Sequence, residues 1–417
     1  MIRVGIVLIF IIFGTVNSQQ CFDDIVIDGS ENIDRYGIDS TGNWWAVTKP
    51  YTNRFRLYVN GKQSDIFSGI QDIRFSRDGK RWACYAKDDG NYWHLLTNDT
   101  TLFLKAFKVG QLFFTPDSKN LFFTYTTENR QILSGKIESN GIVKFGSSKD
   151  LDLPDATTMY ISLDTKRKAV ITRRDGGFYI RIGNNQGPRF DALKAIGYWN
   201  DGSFLYAAKL GNSWEIFKDF ESITEPFNRI IDSKMNPEGT IAAIAIERTK
   251  NEQIVLTIND KYYEPLLSRV YDWVGNIEIN PVLEMVAFKA KKNNQFFIVY
   301  SNTEYVAGDN STKPLFTFDG KDIYFLGCDL DCYVNINGRR YTMNSEVDLT
   351  GNFVKKPGEP SIAFTTNSAL VIRNLEKNTL SASKMMDKMS DPIYNWKKER
   401  YEALGIFGNR LYFIYCK

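Results

Sequence analysis

Short apolar runs alternate with tight polar turns along almost the whole chain, and the same order of runs and turns keeps returning. FSRDGKRWACYAKDDGNYWHLLTN, beginning at Phe75, shows the unit most clearly. An apolar strand ends at Asp78-Gly79. A second run, RWACYAK, has almost no polar interruption. A second turn, DDGN, then leads to an aromatic third run, YWHLLT. Asp-Gly and Asn-Gly pairs take up the positive φ angles that tight hairpins need. The Val, Ile, Phe, Tyr and Trp content of the runs suits pleated, packed surfaces. The pattern therefore predicts antiparallel hairpins, and a near-continuous apolar second strand predicts burial on both faces.

Related segments recur at a commonest interval of about 37 residues, within the span of a propeller blade. YGIDSTGNWWAVTK carries Thr41-Gly42, LFFTPDSKNLFFTYT carries Asp117-Ser118, and YISLDTKRKAVITRR carries Asp164-Thr165. IGYWNDGSFLYAAK carries Asp201-Gly202, and SKMNPEGTIAAIAIE carries Glu238-Gly239. IEINPVLEMVAFKA carries Leu283-Glu284, and LFTFDGKDIYFLG carries Asp319-Gly320. IAFTTNSALVIRN around Ser368 and LGIFGNRLYFIY around Gly408 are weaker copies. Several third strands run into a fourth segment, as in YVNGKQSDIF, TINDKYYEPL and NINGRRYTM. Four strands per unit, each sheet covered by a neighbour on either side, is the radial stacking of a β-propeller. A β-sandwich is the competing arrangement, but sandwiches do not keep a self-similar period. We therefore expect an all-β fold: a single β-propeller of four-stranded antiparallel blades over 19–417. The turns favour eight blades, with seven next. One segment departs from the pattern: LSASKMMDKM, Leu380 to Met389, predicts a short helical insertion near 380–400.

The turn F-S-x-D-G-K followed by an apolar strand resembles the TolB-like, or WD40-like, β-propeller repeats of exported proteins. FSRDGKRWACYAK, TPDSKNLFFTYT and FTFDGKDIYFLG carry the resemblance, with FRLYVNGKQSDIF, IVLTINDKYYEP and CYVNINGRRY as the second half of the repeat. It covers about Tyr36 to Tyr341. The proline before the aspartate is missing from most copies. The resemblance implies closure of one blade by strands from both ends, and CFDDIVID and LGIFGNRLYFIYC are both strand-like.

The N-terminus adds a compartment. Arg3 precedes an apolar run from Val4 to Phe13, and small residues follow, which predicts a secretory signal peptide over 1–18, cut after Ser18. The run is short of the ~20 residues needed to span a bilayer, and no later stretch is long and apolar enough to be a membrane helix. Cys21 lacks the Leu-small-small context of a lipidated cysteine. The expected location is secreted or periplasmic. Cys21, Cys84, Cys328, Cys332 and Cys416 make an odd count, so one thiol is unpaired in a monomer. Cys21 with Cys416 would tie the ends together, and Cys328 with Cys332 would staple the CDLDC turn. Asn98-Asp99-Thr100 and Asn310-Ser311-Thr312 are N-glycosylation sequons in predicted loops.

Composition narrows the chemistry. The 52 Lys and Arg nearly balance 49 Asp and Glu, for a net +3, with no basic stripe of the kind that marks a nucleic-acid binder. His94 is the single histidine, and it alternates with Tyr92 and Leu96 on an aromatic strand, so it reads as a packed blade residue. Histidine-based nucleophilic catalysis needs an imidazole beside its nucleophile, and His94 is the only candidate. Glycoside hydrolysis needs paired carboxylates, but Asp88, Asp89 and Glu128 read as solvated turn residues. Sialidase-type propellers separate the turn aspartate and glycine by one residue, whereas Asp78 and Gly79 are adjacent. Asp329 and Asp331 in CDLDC lack the EF-hand pattern. Met385, Met386 and Met389 read as an apolar helix face rather than a copper site. No catalytic, cofactor or metal residues are assigned. The sequence favours a binding or scaffolding module for a protein, peptide or glycan over an enzyme. The alternative is a glycan- or peptide-processing enzyme using acidic residues at the channel mouth. An accessory lobe of a hydrolase is disfavoured, since no GxSxG follows.

Overall fold

The computed structural model describes residues 20–145, 156–162, 167–259, 265–328, 331–343, 352–366 and 368–417. The predicted signal peptide and the Asp164-Thr165 turn lie outside them. The described residues form strands and turns without a helix, arranged in nine antiparallel sheets. In chain order these span 32–67, 69–145, 156–186, 192–222, 229–267, 273–307, 315–343 and 353–382, and the ninth joins the two ends of the chain. Seven of them have four strands. The second has seven, because the 14-residue strand Thr101–Phe114 serves two successive hairpin units: its first half pairs with Trp93–Thr97 and its second with Asn120–Thr127. The seven described clear turn copies fall on six of the first seven sheets, two of them on the second, and each weaker copy lies on a complete sheet of its own. The total is one sheet more than the eight blades the turns favour.

The second strand of each sheet is the most buried. Ala83, Cys84, Tyr85 and Ala86 are fully enclosed, as are Ile241 to Ala245. Alanines recur there (Ala46, Ala83, Ala207, Ala243, Ala287, Ala363 and Ala403), letting neighbouring sheets approach while large aromatics fill the remaining space. The apolar clusters mostly belong to pairs of sheets rather than to single ones. Val47, Leu57, Cys84 and Leu96 join the first sheet to the second. Ala46 and Trp44 pack against Leu404 and Leu411, joining the first sheet to the ninth. Each large side chain so buried contributes roughly 1.5–3 kcal/mol, so the ring is held by contacts that exist only between blades.

Closure comes from both termini. Cys21–Ile27 is the outer strand of the ninth sheet and pairs with Arg410–Cys416, which pairs with Arg400–Phe407. Cys21 stands directly opposite Cys416 in this ladder, and the two form a disulfide across 395 residues of sequence. Cys328 and Cys332 form a second disulfide across their hairpin, and Cys84 is free and buried.

The helix expected near 380–400 is not formed. Leu380 pairs with Arg373 at the edge of the eighth sheet, and Lys388 and Met389 pair with the ninth. Met386 is buried between these sheets while Met385 is exposed. A ten-residue segment carries little helical stability of its own, and the flanking strand edges satisfy its backbone instead. The two weaker copies are also shifted within the repeat. Ser368 and Gly408 lie in second-to-third strand turns. The true first turns of those sheets are at Gly358 and at Asn395 to Glu399, where the positive φ is taken by Glu399 rather than glycine.

Candidate ligand-binding face

The turn between the first and second strands is built by side-chain hydrogen bonds. Ser76 Oγ donates to Asp78 Oδ1 at 2.6 Å and accepts the Arg81 N–H at 3.0 Å. Thr115 does the same with Asp117 and Asn120, and Thr317 with Asp319 and Asp322. Where asparagine stands first, its Oδ1 accepts backbone N–H groups within the turn. Asn280 takes those of Val282 and Leu283, and Asn395 those of Lys397 and Lys398. The turn aspartates are thus committed to structure. The residue between the pair takes no part in these bonds: Arg77, Pro116, Phe318 or Trp396, of which the two aromatics are exposed.

Neighbouring turns are tied into a belt. Asn43 Nδ2 donates to Gly79 O at 2.9 Å, Asn200 N to Gly239 O at 2.9 Å, and Asn280 Nδ2 to Gly320 O at 2.7 Å. The belt closes where Asn395 Nδ2 donates to Thr41 O at 3.1 Å. The arrangement fixes these turns relative to one another across different sheets.

Phe318 and Trp396 stack with ring centroids 5.6 Å apart and planes 24° from parallel, and Tyr394 stacks on Phe318 at 6.5 Å. Val282 lies against Gly320 in the next turn. Val282, Leu283, Phe318 and Trp396 remain 57%, 52%, 48% and 41% exposed, so this strip presents apolar surface to solvent rather than to the core. Beside the belt, a channel cavity of about 790 Å³ is lined by Phe75, Phe113 and Met235, with Asp72 and Gln111 among its polar groups. An ion pair between Arg77 and Glu238 links the second sheet to the fifth across it.

The carboxyl pKa shifts found here all run downward. Burial pushes Asp78 up, but the Ser76 hydroxyl, the Lys80 N–H and the charges of Lys80 and Lys397 together outweigh it. For Asp117 the Thr115 hydroxyl leads, helped by the Lys119 N–H. Lys136 and Lys144 bring Glu138 down to about 2. Burial also raises Asp201 and Asp322, but it is outweighed by several groups together: Lys218 and Ser203 at Asp201, and Lys355, Asn337 and the Gly358 N–H at Asp322. A carboxyl held ionised accepts protons poorly and has none to donate, the reverse of a glycosidase acid.

The remaining sequence candidates are dispersed. His94 Nε2 lies 2.9 Å from Asp88 Oδ2, between the rings of Phe67 and Phe103. Asp88 is raised by burial and lowered further by its bonds to His94 and the Tyr92 N–H. Asp89 pairs with Arg54, and Glu128 accepts the Tyr92 hydroxyl. Burial pushes the Cys84 thiol up, leaving it a packing residue. Asn98 is exposed, but its Oδ1 accepts the Trp82 N–H and its Nδ2 donates to Lys80 O. Asn60 and Asn337 hold the starts of the second strands in the same way, so this is a feature of the repeat. Asn310 is exposed in a turn, Asp331 is exposed just before Cys332, and Asp329 lies outside the described residues. Among the described residues no cluster of metal-ligating side chains is present, and no helix is long and apolar enough to cross a membrane. Sequence reasoning missed Phe318 and Trp396. Their only local signal is an aromatic residue in the slot that other turns fill with proline, arginine, serine or asparagine.

No family model matches this chain, and no curated protein matches it. The resemblance to TolB-like repeats therefore stands on the turn segments themselves, and the propeller assignment on sheet topology and ring closure. Among solved structures, a eukaryotic initiation factor is 13% identical, with 76% of this chain and 89% of that one covered at a TM-score of 0.46. The β-propeller domain of the trilobed protease from Pyrococcus furiosus is 11% identical, covering 66% and 97% at 0.35. TolB from Acinetobacter baumannii is 14% identical, covering 70% and 78% at 0.30.

Proposed function

We propose that this chain is an exported binding module that recognises a protein, peptide or glycan at the channel mouth, on the face carrying the first-to-second strand turns. The observation that carries this reading is the exposed, stacked Phe318–Trp396 pair, continued by Val282 and Leu283. Exposed apolar surface held on a rigid frame is what a recognition site requires. The belt of turn hydrogen bonds supplies that frame without ordering at the moment of binding. Export is supported by the two disulfides, which persist in oxidising compartments. The enzymatic alternative has less behind it, since Glu238 beside the cavity is ion-paired with Arg77 and the one histidine is packed against aromatics.

The test is to display the purified chain to peptide and glycan libraries and to assay the same ligands for turnover. Saturable binding without product is expected. W396A and F318A should weaken it about tenfold or more, the cost of removing a central aromatic anchor, with the melting temperature unchanged. Cleavage of a glycan or peptide that disappears in Asp72→Asn or Glu238→Gln would sink the reading.

A further inference from the structure

Next to the aromatic strip, at the seam where the ninth sheet meets the first two, lies a second depression of about 530 Å³. Lys80, Lys397, Lys398 and Arg400 line it, against the single acidic lining residue Asp78. A chain with a net charge of only +3 has thus gathered four cations around one concave site.

Their partners show which of these charges are already used. Arg400 Nε donates to Glu402 Oε1 at 2.6 Å, and its guanidinium lies 3.9 Å from the ring centre of Tyr415. Glu402 is fully buried, and its other oxygen accepts Asn395 Nδ2 at 2.9 Å. Arg400 is therefore the partner that keeps a buried carboxylate compensated. Lys398 stands farther from Glu402, at 3.8 Å, and is half exposed. Lys397 Nζ donates to Asp78 O at 2.7 Å and sits 5.4 Å from the Trp396 ring. Lys80 is exposed, with its backbone N–H rather than its ammonium on Asp78. The depression so presents ammonium groups to solvent, and Lys397 connects it directly to the Trp396 platform.

We propose that this seam binds an acidic polysaccharide, with sulfate or carboxylate groups in the lysine depression and a sugar ring on Trp396. The inference rests on the binding-module reading and names its ligand class. Ammonium groups act as point charges suited to sulfate and carboxylate. An adjacent aromatic ring offers flat apolar surface to the C–H face of a pyranose. Nucleic acid fits less well. It demands cations spread along a backbone track, whereas these four converge on one depression a few sugar units across.

The probe is heparin oligosaccharide, with dextran as the uncharged control and a single-stranded oligonucleotide of equal charge as the competitor. The full chain should bind heparin, and dextran far more weakly. The K80Q/K398Q variant leaves the Arg400–Glu402 pair intact, so it should keep its melting temperature while losing at least about tenfold in affinity. The slope of log K against log salt should fall by about 1–2, one counterion term per lost cation. An unchanged affinity in the variant, no preference for heparin over dextran, or tighter binding of the oligonucleotide would each overturn the proposal. In any of those cases W396A still decides the module reading by itself, through its effect on library ligands.

Discussion

Gly42, in the first turn of the chain, packs against the buried carboxylate of Glu402 in the closing sheet. Its φ of +81° is left-handed, and a Cβ there would overlap both Glu402 Oε2 and Asn395 Nδ2. These groups have no freedom to retreat, because Glu402 is held by Arg400 and Asn395 by Thr41 O. Gly42→Ala should therefore destabilise the protein by about 2–4 kcal/mol, combining a left-handed alanine with displacement of a buried charged network. A urea titration measures the change. A loss under about 0.5 kcal/mol, the range of an ordinary surface substitution, would show that the seam is softer than its packing implies.

The Lys355–Asp322 ion pair joins the seventh sheet to the eighth at 2.7 Å, with only 3% of the lysine side chain and 14% of the aspartate exposed. Removing one partner of such a pair strands a buried charge and costs about 3–5 kcal/mol, whereas replacing both is often neutral. K355M alone should thus be severely destabilised, and K355M/D322N should recover most of the loss. Equal destabilisation by single and double variants would mean that Lys355 acts through packing alone.

Acid should unfold the protein through its turns. Asp78, Asp117, Asp201 and Asp322 all sit below their ordinary 3.8 in the folded chain. A depressed carboxyl adds stability that is present above its unfolded pKa and is lost as pH falls through the folded one. From these groups, stability should stay level between about pH 5 and 7 and decline below about pH 4. The urea midpoint of D78N/D117N should be lower than wild type at pH 6 and should change less on going to pH 3. An acid limb as steep as wild type would exclude the turn aspartates as its source.

How much of this is legible in the sequence depends on how locally each feature is encoded. Asp78-Gly79 and Asp319-Gly320 announce their turns because the hydrogen bonds that build them run within a few residues. The all-apolar second strands announce burial on both faces, and strand-like ends with cysteines announce closure. The closing sheet's own first turn is hidden, because Glu399 takes the positive φ that glycine marks elsewhere. The stretch at 380–389 misleads because its methionines mimic a helix face while its neighbours offer strand edges. The binding face is hidden for a different reason. Phe318 and Trp396, or Lys80 and Lys398, are distant in sequence and become neighbours only once the ring has closed.

The two disulfides should differ sharply in what they contribute. Chain-entropy reasoning assigns roughly 5–6 kcal/mol to a loop as long as that closed by Cys21–Cys416 and about 2 to one as short as Cys328–Cys332, with measured gains usually smaller. The long bond also pins the outer strand of the closing sheet, where Cys21 faces Cys416 at the ladder's end. C21S/C416S should therefore lower the melting temperature far more than C328S/C332S, and should free the N-terminal strand for early proteolysis. Cys416 is buried, so the pair should also resist mild reductant until the strand opens. Limited proteolysis followed by mass analysis reads this out. If the first cuts fall elsewhere in the ring while Cys21–Ile27 stays protected, the strand is held by its ladder and packing without the disulfide.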